Sequence, residues 1–301
     1  MSSMFANSEI KTISILGCGW LGMSLAKDLI AEGYEVKGST THQEKLPKIK
    51  EIGATPFLIK LLPEPEGDRL PEFFDSDLLI ICIPPGTRSG MADSYHPTQI
   101  KYLLDDLEKS TISKVIYISA TSVYPTNNGE ARETDQLNPV EAVNKSILLA
   151  EHVLIDNDVF QCTILRCGGL MGYDRIPGKY FAGEKNLKTG SIPVNYVHRD
   201  DVIRVIKEVF KQNIWNEVYN VVAPHHPTRK EIYLKNAKTF GFEAPTFDDS
   251  AQPAYKTVSS YKLLVDFQFL FKYPNPLEFA YNKEIQKTTN PDDPHEQPDM
   301  Y

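Results

Sequence analysis

The sequence is poor in the features that mark several common protein classes. It has four cysteines, Cys18, Cys82, Cys162 and Cys167, and no two form a Cys-x-x-Cys pair or join a ligand cluster. Neither a disulfide framework nor a zinc centre is expected from such spacing. Three of them lie in apolar, strand-like runs, where a thiol behaves as a small buried hydrophobe. Positive charge is also short: 32 Lys and Arg stand against 40 Asp and Glu, a formal charge of −8. That balance disfavours non-specific binding to nucleic acid or to an anionic membrane. No apolar run approaches the roughly 20 residues a membrane span requires. The opening "MSSMFANSE" lacks the basic segment and apolar core of a secretory signal. A soluble, cytoplasmic protein is expected.

Two kinds of catalytic signature are missing as well. There is no G-x-S-x-G nucleophile elbow and no G-x-x-x-x-G-K-[ST] phosphate loop. His152, His225 and His226 have no partners at metal-ligand spacing, and "PHHP" reads as a turn, so no metal site is expected.

What is present is alternation. Short β-rich runs at Thr12–Leu16, Tyr34–Gly38, Phe57–Leu61, Leu78–Ile83, Val115–Ala120 and Cys162–Arg166 are interspersed with helical patterns at Leu21–Ala31, Gln99–Lys109 and Ala142–Ile155. Runs such as "LLIICIP" are apolar throughout, as strands covered on both faces are. The order predicts an α/β chain with a Rossmann-type, doubly wound parallel sheet over residues 10–166. Beyond Arg166 glycines and prolines crowd the chain. A helix at Asp200–Lys211, a strand at Glu217–Val222 and a helix at Thr228–Phe240 follow. A smaller substrate lobe over 167–283, interleaved with the sheet, fits this half. The tail, 284–301, has too few apolar residues to fold and is expected to be disordered.

Gly17-Cys18-Gly19-Trp20-Leu21-Gly22 follows the first strand and opens the first helix. In a dinucleotide-binding turn the first glycine permits the tight bend, the second admits the pyrophosphate, and the third lets helix and strand pack closely. The helix's positive end then faces the phosphates. The alternative reading is a tight strand–helix turn that binds nothing. An acid at the end of the second strand would grip the ribose 2′-hydroxyl of NAD. Here the segment is Ser39, Thr40, Thr41 and His42, with Lys37 and Lys45 nearby and no carboxylate before Glu44. That pattern suits the 2′-phosphate of NADP better, with NAD the alternative. Ile83, Pro84 and Pro85, in the "CIPPG" segment Cys82–Gly86, form a stiff loop expected to line the cofactor crevice. Ser119 and Arg166, near the ends of later strands, complete the cofactor-binding set.

These features resemble the extended branch of the short-chain dehydrogenase/reductase superfamily, the nucleotide-sugar epimerases and dehydratases. The likeness covers about residues 12–280 and rests on an ordered set. "YISATSVYP" is similar to that branch's S-S-x-x-V-Y-G, and "ILRCGGLMG" to its L-R-x-x-x-x-Y-G. "VNYVHRDDV" is similar to its H-x-x-D segment, and "EVYNVV" to its Y-N-V-x segment. The GxGxxG spacing, in place of the superfamily's usual GxxGxxG, marks an atypical member. The resemblance implies NAD(P) binding, a small or nucleotide-linked sugar-like substrate, oxidoreductase or epimerase chemistry and, by analogy, a homodimer.

It also exposes a departure. Working enzymes of the branch carry Tyr-x-x-x-Lys on the helix after the fifth strand, and a Ser or Thr at that strand's end. The tyrosine exchanges a proton with the substrate. Here the helix reads "NPVEAVNKSILLAEHVL". One register gives Glu141 and Lys145, the other Val143 and Ile147, and the Ser/Thr position is Ala120. The candidate acid/base residues are therefore Thr121, Ser122, Tyr124 and Lys145, with Glu141, Tyr173 and His198 behind them. Each has a plainer reading: Tyr124 packed under its loop, Lys145 on a solvated face, His198 and Asp201 capping a helix. A non-catalytic NADP(H)-binding redox sensor or scaffold is the alternative function.

Overall fold

The computed structural model describes residues 10–67, 69–85, 90 and 92–282. Seven strands form the principal sheet: β1 (Thr12–Leu16), β2 (Glu35–Thr40), β3 (Thr55–Leu58), β4 (Leu78–Ile81), β5 (Lys114–Ala120), β6 (Gln161–Cys167) and β7 (Val218–Val221). Their order across the sheet is β3-β2-β1-β4-β5-β6-β7. The sheet is parallel, with Ile13 opposite both Val36 and Leu78, and Leu78 opposite Lys114. All four residues of β4 and four of the five in β1 are buried, which explains their unbroken apolar sequence. Strand order reverses at β1, between β2 and β4. In open α/β sheets that reversal opens a crevice at the carboxyl ends of the strands.

The helices that fix the site are α1 (Trp20–Ala31), α2 (Leu46–Glu51), α3 (Tyr95–Leu107), α4 (Lys145–Ile155), α5 (Arg199–Lys211) and α6 (Arg229–Phe240). Helix α1 buries Leu21, Leu25 and Leu29 along one stripe. Gly33, at φ +95°, then turns the chain toward β2. Helix α6 begins with a capping box between Thr228 and Glu231.

Several boundaries differ from the sequence pattern. Strand β2 runs on to Thr40, because Ser39 and Thr40 are buried and their backbone pairs with Phe57 and Leu58. The third strand is Thr55–Leu58, since Lys60–Leu61 pairs with Pro65–Glu66 instead. Helix α3 starts at Tyr95, ahead of the expected Gln99, and admits Pro97 in its first turn. Helix α4 starts at Lys145, where the Asn144 side chain accepts the Ile147 amide; Ala142 precedes it. Val218–Val221 joins the principal sheet as its seventh strand.

The chain divides into two compact units. The first takes the described residues of 1–119 with Asn144–Leu165 and Ile206–Val218. Its core includes Leu16, Phe57, Phe73, Ile81, Leu103 and Leu154. The second takes Ala120–Val143, Arg166–Val205 and the described residues from Tyr219, and is centred on Met171, Val194, Tyr196, Ile232, Tyr233 and Phe279. The tail 284–301, Gly86 and Met91 lie outside the described residues.

Candidate functional site

The three glycines of the first turn have different reasons to be glycine. Gly17 sits at φ +105°, and a Cβ there would lie 2.9 Å from the Cys82 carbonyl oxygen and 3.2 Å from Cγ2 of Ile83. A Cβ on Gly22 would lie 2.3 Å from the Gly17 carbonyl oxygen. Both positions are therefore demanded by the fold. Gly19 is exposed, has φ −83°, and would bring its Cβ within 4 Å of nothing. The fold does not require glycine there, and its bare backbone leaves room for a close approach from solvent. Gly19 is also the N-cap of α1, offers no side-chain cap, and no acid lies in the first turn. The positive end of α1 therefore meets no carboxylate of its own, the arrangement an anion needs. Leu21 is buried beneath the turn and Trp20 half-buried beside it.

Strand β2 braces this turn. The Gly17 amide donates to Ser39 Oγ at 3.0 Å, and the Cys18 amide to the Ser39 carbonyl at 2.7 Å. The Cys18 thiol is buried, with its pKa pushed up to about 12 by desolvation, so it acts as a packing atom. Gly38 makes room for it, since a Cβ there would stand 2.7 Å from Cys18 Sγ. That Cys18–Gly38 pairing has no sequence signature.

At the end of β2, Thr40 is buried and its Oγ1 accepts the His42 amide at 3.2 Å, while Thr41 and His42 are exposed. Glu44 stands 3.3 Å from His42 Nδ1. Lys37 is committed elsewhere, donating to the carbonyls of Glu72 and Asp75. The first unit thus brings Ser39 and Ile83 against the turn Gly17–Gly22 at the amino end of α1, with Thr40, Thr41 and His42 following Ser39 in the chain. Pro84 and Pro85 follow Ile83 in an irregular segment.

On β5, Ser119 Oγ donates to Glu151 Oε1 on α4, and both residues are buried. One helical turn earlier Ile147 is also buried, whereas Val143 lies before the helix and is 46% exposed. Lys145 opens the helix as an exposed residue, off the buried stripe, and Glu141 lies outside the helix altogether.

In the second unit Thr121 and Ser122 are buried in a short 3-10 turn after β5. Tyr124 is fully buried: its hydroxyl donates to Asn220 Oδ1 at 2.8 Å and accepts from Arg166 at 2.9 Å. Burial pushes its pKa up to about 12, against the opposing pull of Arg166, so it stays protonated at neutral pH. Glu133 accepts the Asn220 amide at 2.8 Å, and burial raises its carboxyl pKa. Lys256 donates to the Tyr124 carbonyl at 2.7 Å. Asn220 is the asparagine of the "EVYNVV" segment, whereas no motif marks Glu133, nine residues beyond Tyr124, or Lys256, which comes from far along the chain. Arg166 is thus joined to Tyr124.

The remaining motif residues are tied to one another. Gly172, at φ +115°, packs on His198, whose Nε2 would stand 2.4 Å from a Cβ there. His198 Nδ1 accepts the Asp200 amide at the start of α5, and burial lowers the imidazole pKa. Tyr173 donates to Asp200 at 2.9 Å. The buried Asp201 carboxylate accepts the amides of Lys272 and Tyr273 and a bond from Arg204. Among the described residues no group of three His, Cys, Asp or Glu side chains is placed to hold a metal ion. No described helix is long and apolar enough to cross a membrane.

Comparison with known proteins agrees with this geometry. Residues 17–213 match a protein family described as NAD(P)H-binding, and the match begins at Gly17. The chain is 34% identical over 271 residues to protein YeeZ of Escherichia coli K12, covering 89% of this chain and 98% of that one. A UDP-glucuronic acid 4-epimerase of Bacillus cereus, solved with UDP-glucuronic acid and NAD, superposes with a TM-score of 0.73 at 19% identity, over 89% of this chain and 96% of that one. A conserved protein of Silicibacter pomeroyi superposes with a TM-score of 0.72 at 20% identity, over 89% and 95%. The chain belongs to the NAD(P)H-binding family.

Proposed function

We propose that the protein binds NADP(H) at Gly17–Gly22 and uses it in oxidoreductase or epimerase-like chemistry, with an acid/base other than a tyrosine on α4. The substrate class is a small or nucleotide-linked, sugar-like carbonyl or alcohol, and the setting is the cytoplasm. The observation that carries the first part is Gly19, a glycine the fold does not need, at the uncapped amino end of α1. The turn would hold the diphosphate, and Thr40, Thr41 and His42 the 2′-phosphate. The absence of a carboxylate between Ser39 and Gln43 supports NADP over NAD. When bound, the dinucleotide supplies or takes up a hydride. Thr121 and Ser122 are assigned to the substrate oxygen; Tyr124 orients Arg166; Lys145 stands at an exposed position. The sugar-nucleotide bound by the Bacillus cereus enzyme supports the substrate class.

A second reading, a dinucleotide-binding redox sensor, is supported by Val143 and Ile147 where the branch's Tyr and Lys would stand, and by the occupied Tyr124 hydroxyl. Incubation with NADPH and a panel of sugar nucleotides, aldehydes and ketones separates the two. Cofactor oxidation that falls in Thr121→Ala or Ser122→Ala supports the enzyme. Tight dinucleotide binding with neither net oxidation nor an epimerised product on any panel member supports the sensor, since an epimerase returns its hydride and leaves the cofactor level unchanged. NADH bound more tightly than NADPH contradicts the assignment of the 2′-phosphate site.

A further inference from the structure

Lys256 is 6% exposed and opens the short strand Lys256–Val258, which pairs in parallel with Gly129–Ala131 in the second unit. An ammonium has three donors and no acceptor. Here one donor is used, in the 2.7 Å bond to the Tyr124 carbonyl oxygen. Among the described residues no carboxylate pairs with Lys256. Glu130, beside its paired residue Gly129, is engaged by Arg132 at 2.6 Å. Desolvation pushes the lysine's pKa down to about 8, with no acid pulling it back. The charge is therefore kept at neutral pH without a neutralising partner, an arrangement that costs stability.

A second buried cation adjoins the same tyrosine. Arg166 is 5% exposed, donates to the Tyr124 hydroxyl at 2.9 Å, and lies 5.1 Å over its ring. The acid of this cluster, Glu133, receives the Asn220 amide and is half-buried. A chain of net charge −8 thus places one buried cation on the Tyr124 backbone carbonyl and a second on its hydroxyl.

We propose that Lys256 is an anion-binding residue of the second unit, whose buried ammonium takes a phosphate or carboxylate oxygen of a small-molecule ligand. This goes beyond dinucleotide binding and does not depend on it, because every residue invoked belongs to the second unit. The plainer role is a scaffolding donor that merely anchors the Tyr124 carbonyl. A ligand-binding lysine is retained against its cost to stability; a scaffolding lysine contributes to stability.

The test is calorimetric titration of inorganic phosphate, and separately of succinate, into protein saturated with NADP⁺, for wild type, Lys256→Met and Lys256→Gln. Dinucleotide binding is measured on its own in the same samples, so its failure is read independently. Should wild type bind no NADP⁺, the oxyanion titrations are read on the apo protein. Wild type is expected to bind one of the two oxyanions. Both variants should lose roughly tenfold to a hundredfold in that affinity, the loss of one charge-assisted hydrogen bond, with melting temperatures no lower than wild type. Wild type binding neither phosphate nor succinate overturns the proposal. So does undiminished binding by either variant with a lowered melting temperature, the scaffolding outcome. If neither variant folds, the wild-type titration still decides it, with Lys256→Arg expected to keep the binding; its loss there counts against the assignment.

Discussion

Ser119 on β5 donates a hydrogen bond to the buried carboxylate of Glu151 on α4, and this pair fixes how the helix lies against the strand. Once Glu151 faces β5, Ile147 one turn earlier must also face inward, and Lys145 must not. The helix register follows from a serine and a glutamate, with no tyrosine or lysine involved. Ser119→Ala leaves a buried acceptor short of a donor and is expected to cost about 1–3 kcal/mol. Ser119→Ala with Glu151→Leu should cost less than the sum of the single changes. Urea unfolding of the four proteins checks both expectations.

Specificity for the 2′-phosphate is assigned to the end of β2, where Thr41 and His42 are exposed and the nearest carboxylate, Glu44, is engaged by His42. Thr41→Asp puts a negative charge where the phosphate is expected. It should weaken NADPH by about tenfold or more, the effect of a close like charge, and leave NADH nearly unchanged. Fluorescence titration of both reduced dinucleotides measures the ratio.

Tyr124 provides a pH test. Its pKa rises from the ordinary value near 10 to about 12 on folding, chiefly by desolvation, so the folded state holds its proton more tightly. The stability this contributes is complete below pH 10 and is lost as pH climbs from about 10 to about 12. Tyr124→Phe removes the Arg166 and Asn220 bonds and should lower stability by about 1–3 kcal/mol at pH 7. It should also flatten part of the alkaline decline seen by denaturation at successive pH values. A turnover profile with a step near neutral pH that vanishes in Tyr124→Phe contradicts this assignment.

The first half of the fold was legible because its signals are local. The sequence pattern marks strand β1 to the residue, and α1 to within one, since an apolar run, a glycine turn and a Gly33 stop sit next to one another in sequence. The sequence pattern starts strand β2 one residue early and ends it two short, because Ser39 and Thr40 are hydroxyl residues buried by sheet pairing, which hydropathy does not register. Val218–Val221 reads equally well as a strand of any sheet; only long-range pairing places it beside β6. The same holds for the site. The glycines carry their reasons in their spacing, whereas Asn220 and Lys256 reach Tyr124 across many residues of intervening chain, and Glu133 holds the Asn220 amide. Lys37 reads as a phosphate ligand from its position in sequence, yet the carbonyls of Glu72 and Asp75 take its donors.

The glycine turn is tested most directly by calorimetry with NADPH on wild type, Gly19→Ala and Gly22→Ala. Gly19→Ala meets no protein atom within 4 Å, so its melting temperature should match wild type while its affinity for NADPH drops at least tenfold. Gly22→Ala drives a methyl to 2.3 Å from the Gly17 carbonyl and should lower both affinity and stability, the latter by about 2 kcal/mol or more. A wild type that takes up neither NADPH nor NADH, or a Gly19→Ala protein that binds as tightly as wild type, would contradict a turn shaped for a dinucleotide.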